Sequence, residues 1–238
     1  MEENNIQTSN KLDPSKFILP GAILIAAVLI SGSVVFYSLN TSKLGANVKQ
    51  AGDSAVGEKV NISADDDAFM GNENAKATLV EFSDYQCSFC RAFWRDALPQ
   101  IKKEYIDTGK VKFVYRDFPL SFHPGAIPAA QATQCAKDQG KFWEMHDKIF
   151  SEQEKQGQGT IQFGVKEIKK WASQISLDMA AFNKCLDSEK YKSEVEKDIA
   201  DGSAYGVSGT PTLYINGYPV VGAQPFSVFK EIIDNELK

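Results

Sequence analysis

The chain has 238 residues, 43% apolar and 24% charged, with 26 basic against 31 acidic side chains and a net charge of -5. These are ordinary globular values, so a disordered or collagen-like chain is excluded and no electrostatic footprint for nucleic acid is present. Four cysteines are too few for a small disulfide-stapled scaffold, yet they are even in number and all fall after residue 86.

From Phe17 to Leu39 no side chain is charged. About 20 apolar residues cross a hydrocarbon core, so this stretch predicts one transmembrane helix. A cleaved signal peptide and a buried soluble helix compete with that reading; Ser31 and Ser33 form a small-x-small pattern, but Val34 to Tyr37 prolong the apolar run past it. Orientation is nearly balanced, since Lys11 and Lys16 before the span are matched by Lys43 and Lys49 after it. Residues 1–16 read as a cytoplasmic tail. Residues 40–63 lack periodicity and read as a linker, which as a flexible coil reaches on the order of 25 to 30 Å.

The remaining chain, 64–238, is expected to form one α/β domain. Ala77 to Phe82 is a nearly continuous apolar run, as in a strand covered on both faces, interrupted by Glu81. After Cys87, Phe93, Trp94, Leu98, Ile101 and Tyr105 recur at helical spacing, with Pro99 as a kink. Lys110 to Tyr115 alternates into a second strand, and a strand-helix-strand order implies a right-handed parallel crossover. Amphipathic stretches then follow one another between about 123 and 206, predicting an all-helical insertion. Thr212 to Ile215 and Tyr218 to Val221, joined by Asn216-Gly217, predict a hairpin, and a closing helix runs from Phe226 to Leu237.

Cys87-Ser88-Phe89-Cys90 stands between the first strand and its helix. At that place unpaired N–H groups and the helix dipole stabilise a thiolate on Cys87, and a thiol three residues on can close a disulfide with it. Zinc competes for such a pair but needs two more ligands at short spacing; Cys135 and Cys185 stand alone, and the only histidines are His123 and His146. No metal is therefore expected, and thiol exchange needs no organic cofactor.

Together EFSDYQCSFC, VYRDFPL, FHPGA, QCAKDQGKFWEMHD and GVSGTPTLYING resemble the DsbA-like thiol-disulfide oxidoreductases of the thioredoxin superfamily, over about residues 65–238. The resemblance implies a thioredoxin fold with an inserted helical domain, and redox chemistry at Cys87 and Cys90. Members usually carry proline where this chain has Ser88, a residue that tunes the thiolate. Pro211 after Thr210 matches the family's cis-proline, which presents a backbone edge to a bound peptide, whereas the sequence alone favours trans. The family has an acidic residue at the place of Glu81. Burial would raise its pKa and let it relay a proton for Cys90; an edge position or an ion pair is the plainer reading. His123 follows the second strand and either lines the substrate site or packs and caps, while His146 reads as structural. Cys135 and Cys185 are either two lone buried thiols or, in an oxidising compartment, a structural disulfide such as some relatives carry.

These expectations amount to a single-pass membrane-anchored dithiol oxidase acting on unfolded or reduced extracytoplasmic proteins. By family analogy, a quinone-linked membrane protein reoxidises it. A reductase, an isomerase and a tethered binding or metal-holding module are the alternatives.

Overall fold

The computed structural model describes residues 58–238. The expected tail, the span Phe17 to Leu39 and residues 40–57 of the linker lie outside the described residues. Among the described residues no helix is long and apolar enough to cross a membrane.

The strands are β1 (Phe69–Met70), β2 (Ala77–Ser83), β3 (Val111–Asp117), β4 (Thr212–Ile215) and β5 (Tyr218–Val221), in the spatial order β1-β3-β2-β4-β5. β2 and β3 run parallel, with Leu79 opposite Phe113 and Glu81 opposite Tyr115; the other pairs are antiparallel. β1 escapes the sequence pattern because two residues carry no period. The parallel pair is connected through α1 (Ser88–Asp96), α2 (Leu98–Ile101) and a π-helical turn, Lys102–Ile106. Pro99 explains the interruption, since it has no N–H to donate to the preceding turn.

The insertion consists of α3 (Ala126–Lys137), α4 (Phe142–Glu154), α5 (Val165–Ala172), α6 (Met179–Asp187) and α7 (Lys192–Ala204); α8 (Phe226–Glu236) closes the chain. Cys135 of α3 and Cys185 of α6 are joined by a disulfide, with Cα atoms 5.9 Å apart and a sequence separation of 50.

Leu79, Phe113, Leu213 and Ile215 on one sheet face pack with Phe93, Ile101, Phe229 and Ile233. A second cluster joins Val80, Phe82, Val114 and Tyr214 to Phe118 and Val207. Val60, Ile62 and Ala64 also lie against that second cluster, so the linker expected to reach residue 63 is in fact part of the domain from about residue 60. Their alternation is strand-like, but the polar residues between them conceal it. The Val60 N–H donates to the Gly217 carbonyl at 2.9 Å. Gly217 is required there twice over: its φ is +92°, as the hairpin turn demands, and a Cβ would lie 2.1 Å from the Val60 oxygen.

Candidate active site

β2 delivers the chain to the N-terminus of α1, where Cys87 is the N-cap residue with extended backbone (φ -73°, ψ 124°). A cap residue there faces the free N–H groups of the first helical turn. Cys87 and Cys90 are both buried, whereas Phe89 between them is 65% exposed. The Thr210–Pro211 bond is cis, and the Cys87 thiol donates to the Thr210 carbonyl at 3.4 Å. The structure thus brings Cys87, Cys90, Thr210 and Pro211 together from opposite ends of the domain.

The two thiols are chemically unequal. A hydrogen bond from the Cys90 thiol does most to hold the Cys87 pKa down, to about 6 against an ordinary 9.0; burial opposes it, and the Thr210 side chain and the N–H groups of Cys90 and Phe89 assist. Burial pushes Cys90 well above the ordinary thiol range, and the neighbouring Cys87 and Glu81 charges add to the effect. Such a pair presents one sulfur as nucleophile and leaving group and keeps the other protonated in reserve.

Glu81 does not lie at an edge. It stands on the central strand, 2% exposed, between β3 and β4. Burial raises its carboxyl to about 8; Ser83 opposes the shift and the charge of Cys87 adds to it. Among the described residues the groups acting on it do not include a cation, so the ion-pair reading also gives way.

His123 is 8% exposed, and its Nδ1 lies 2.7 Å from a carboxylate oxygen of Asp84. Its Nδ1 is thus engaged by Asp84, and Phe122 beside it is exposed. His146 is buried among Tyr85, Tyr115, Trp143 and Phe150, with Nδ1 2.9 Å from Asp147.

Pattern reading missed the residues that build the walls. Asp84, fully buried, accepts from the backbone N–H of Gln86 (2.6 Å) and of Leu120 (2.8 Å), while its own N–H points at Cys90 Sγ (3.4 Å). Gln86 donates to the Ile161 carbonyl (2.9 Å) and accepts from the Gly125 N–H (2.7 Å). Arg91 donates to the carbonyls of Gly157 and Gly159 at 2.9 and 2.8 Å. Two loops of the insertion are therefore tied directly to the Cys87 turn. Polar side chains in a stretch bordering a buried strand were the available signal.

A second buried charge cluster surrounds Arg116, whose guanidinium contacts Asp67 (2.8 Å), Asp198 (2.6 Å) and Asp201 (2.8 Å). Among the described residues, Cys135 and Cys185 are bonded to each other and His123 Nδ1 meets Asp84.

Known proteins agree with this geometry. The thioredoxin family model matches residues 63–235. Disulfide bond formation protein D of Bacillus subtilis is 32% identical over 196 residues, covering 81% of this chain and 86% of its own length. The probable disulfide bond formation protein D of Bacillus anthracis is 30% identical over 98% of this chain and all of its own. Among solved structures, oxidised BdbD of Bacillus subtilis superposes with a TM-score of 0.66 at 31% identity, covering 75% of this chain and 97% of that one. A cysteine pair made unequal by the hydrogen bond between its thiols and the burial of Cys90, on this fold and with these relatives, means that the chain belongs to the thioredoxin family and is a DsbA-like thiol-disulfide oxidoreductase.

Proposed function

We propose that the protein is a dithiol oxidase that introduces disulfides into reduced proteins outside the cytoplasm. A single-pass helix at Phe17 to Leu39 anchors it, and the domain from residue 64 onward lies on the extracytoplasmic side. The inequality of the two thiols carries this reading. A substrate thiolate attacks Cys87 Sγ, the Cys87–Cys90 bond breaks, and Cys90 leaves and is protonated. A second substrate thiolate then attacks the substrate sulfur of the mixed disulfide and expels Cys87 as a thiolate. Since Cys87 is ionised at neutral pH, its departure is easy. Holding its pKa at about 6 rather than 9.0 stabilises the reduced protein at pH 7 by roughly one tenfold factor, about 1.4 kcal/mol or 30 mV.

Glu81 acts as the proton partner of Cys90, Thr210 and Pro211 present the substrate-facing backbone, and Cys135–Cys185 braces the insertion. Reduced or unfolded proteins are the substrates, and a quinone-linked membrane protein restores the disulfide. The deciding experiment is equilibration of the Cys87/Cys90 couple against glutathione buffers. An oxidase is expected to lie nearer the about -120 to -180 mV of oxidants and isomerases than the about -270 mV of thioredoxin. A value at or below thioredoxin's would make the protein a reductase.

A further inference from the structure

Asp84 places all four of its polar groups on the cysteine turn or on the loop beside it. Its carbonyl accepts from the Cys87 N–H at 3.0 Å, one carboxylate oxygen accepts from the Gln86 N–H at 2.6 Å, and its own N–H points at Cys90 Sγ, 3.4 Å away. The other carboxylate oxygen reaches the loop after β3, where it accepts from the Leu120 N–H at 2.8 Å and lies 2.7 Å from His123 Nδ1. That loop is itself tied down, by the Phe118 N–H on the Ser83 carbonyl (2.7 Å) and the His123 N–H on the Leu120 carbonyl (2.9 Å). A carboxylate is costly to bury without partners. Asp84 is buried with three, drawn from two chain segments, and together they fix the orientation of its peptide group.

The consequence lies at Cys90, which is 0% exposed. When a substrate thiolate bonds to Cys87 Sγ, the Cys87–Cys90 bond breaks and its electron pair goes to Cys90 Sγ. Negative charge then develops on a sulfur that water does not reach. A donor already aimed at the place where charge develops stabilises the transition state more than the ground state, and does so without reorganisation. The Asp84 N–H is a donor of that kind.

We propose that the Asp84 N–H stabilises Cys90 as it departs, and that the Asp84 carboxylate, held by Leu120 and His123, is the positioning group that keeps this N–H on the sulfur. The proposal rests on the reading of Cys90 as the sulfur that leaves; its protonation then completes the step. Reclosure, in which Cys90 attacks the mixed disulfide on Cys87, passes through the same transition state and receives the same help.

The test is single-turnover reduction of the oxidised protein by glutathione, quenched with acid and read as free thiols, for Asp84→Asn, His123→Leu and His123→Asn. Asparagine at 84 keeps the shape but turns one acceptor into a donor, which then confronts another N–H. Asp84→Asn and His123→Leu are expected to slow the step on the order of tenfold, the worth of one well-placed bond to a charged sulfur. His123→Asn keeps a donor near the place of Nδ1 and is expected to restore most of what His123→Leu loses. A second reaction leaves Cys90 out: in Cys90→Ala, a glutathione bound to Cys87 is released by another glutathione, and adding Asp84→Asn is expected not to slow that release. Equal slowing in both reactions would mean that Asp84 only holds the site in shape and would overturn the proposal, as would wild-type rates in Asp84→Asn and His123→Leu. Glutathione trapped on Cys90 instead of Cys87 would overturn the reading on which the proposal rests. Should Asp84→Asn fail to fold, His123→Leu against His123→Asn decides in the same assay.

Discussion

The domain holds two cysteine pairs, and only their surroundings make them different reagents. Cys87 and Cys90 share one helical turn at the end of a strand, where the Cys90 thiol, then the Thr210 side chain and the backbone N–H groups, favour a thiolate on Cys87. Cys135 lies well inside α3 and Cys185 near the end of α6, 50 residues apart, amid Ala132, Ala136, Phe182 and Leu186. That second setting is a buried apolar cluster. A disulfide there has no inducement to open, and its effect is on the chain entropy of the unfolded state. Position on the fold, rather than the cysteine itself, separates exchange chemistry from bracing.

The largest effect that tests the contrast is expected from Cys87→Ser, which removes the nucleophile and should bring thiol oxidation of a reduced protein substrate down to the uncatalysed background. Retained activity would shift the chemistry to the other pair. Cys135→Ser/Cys185→Ser should do the converse. Opening a loop of 50 residues is expected to cost about 4 kcal/mol on the chain-entropy model, read as a lower urea midpoint, with the potential of the active pair unmoved. A shift in that potential would show that the second disulfide tunes the first.

Glu81→Gln comes next, and its effect depends on pH. The folded pKa of about 8 lies above the ordinary value of 4.5, so the folded protein holds a proton that the unfolded chain has lost between those limits. The stability this proton lends is complete below about pH 4.5 and is lost as pH rises through about 8. Glutamine keeps the neutral shape. In urea titrations of the reduced protein the variant should gain on wild type by a few kcal/mol at about pH 8 and hardly at all at about pH 5. An equal difference at both pH values would mean that Glu81 is already charged in the fold.

The same contrast explains what could be read from sequence. The helix-start cysteines, the Asn216-Gly217 hairpin and the helical insertion are local signals, each set by a few neighbouring residues, and the structure contains all three elements. Features that depend on distant chain segments were hidden. Asp84 and Gln86 look like turn residues until Leu120, Gly125 and Ile161 arrive to bond them. Val60 and Ile62 look like linker until the sheet face at Val80 and Tyr214 receives them. Ser83, Tyr115 and Asp117 fall on one buried row only through the register of β2 against β3, which neither strand specifies alone.

The smallest predicted effect concerns Thr210, whose side chain also bears on Cys87. Its carbonyl accepts from the Cys87 thiol, and its hydroxyl, otherwise without a protein partner, helps hold the thiolate. Thr210→Val keeps the carbonyl and the β-branched shape and deletes only the hydroxyl. The larger influence, the Cys90 thiol, remains, and so do the N–H groups of Cys90 and Phe89. Thiolate absorbance of the reduced protein should therefore titrate near 6 in wild type and rise by less than about one unit in the variant, at most about 1.4 kcal/mol. A variant that titrates near the ordinary thiol value of 9.0 would mean that Thr210, and not Cys90, dominates the thiolate. The inequality of the pair would then be set across the site from the turn before β4, not within the first turn of α1.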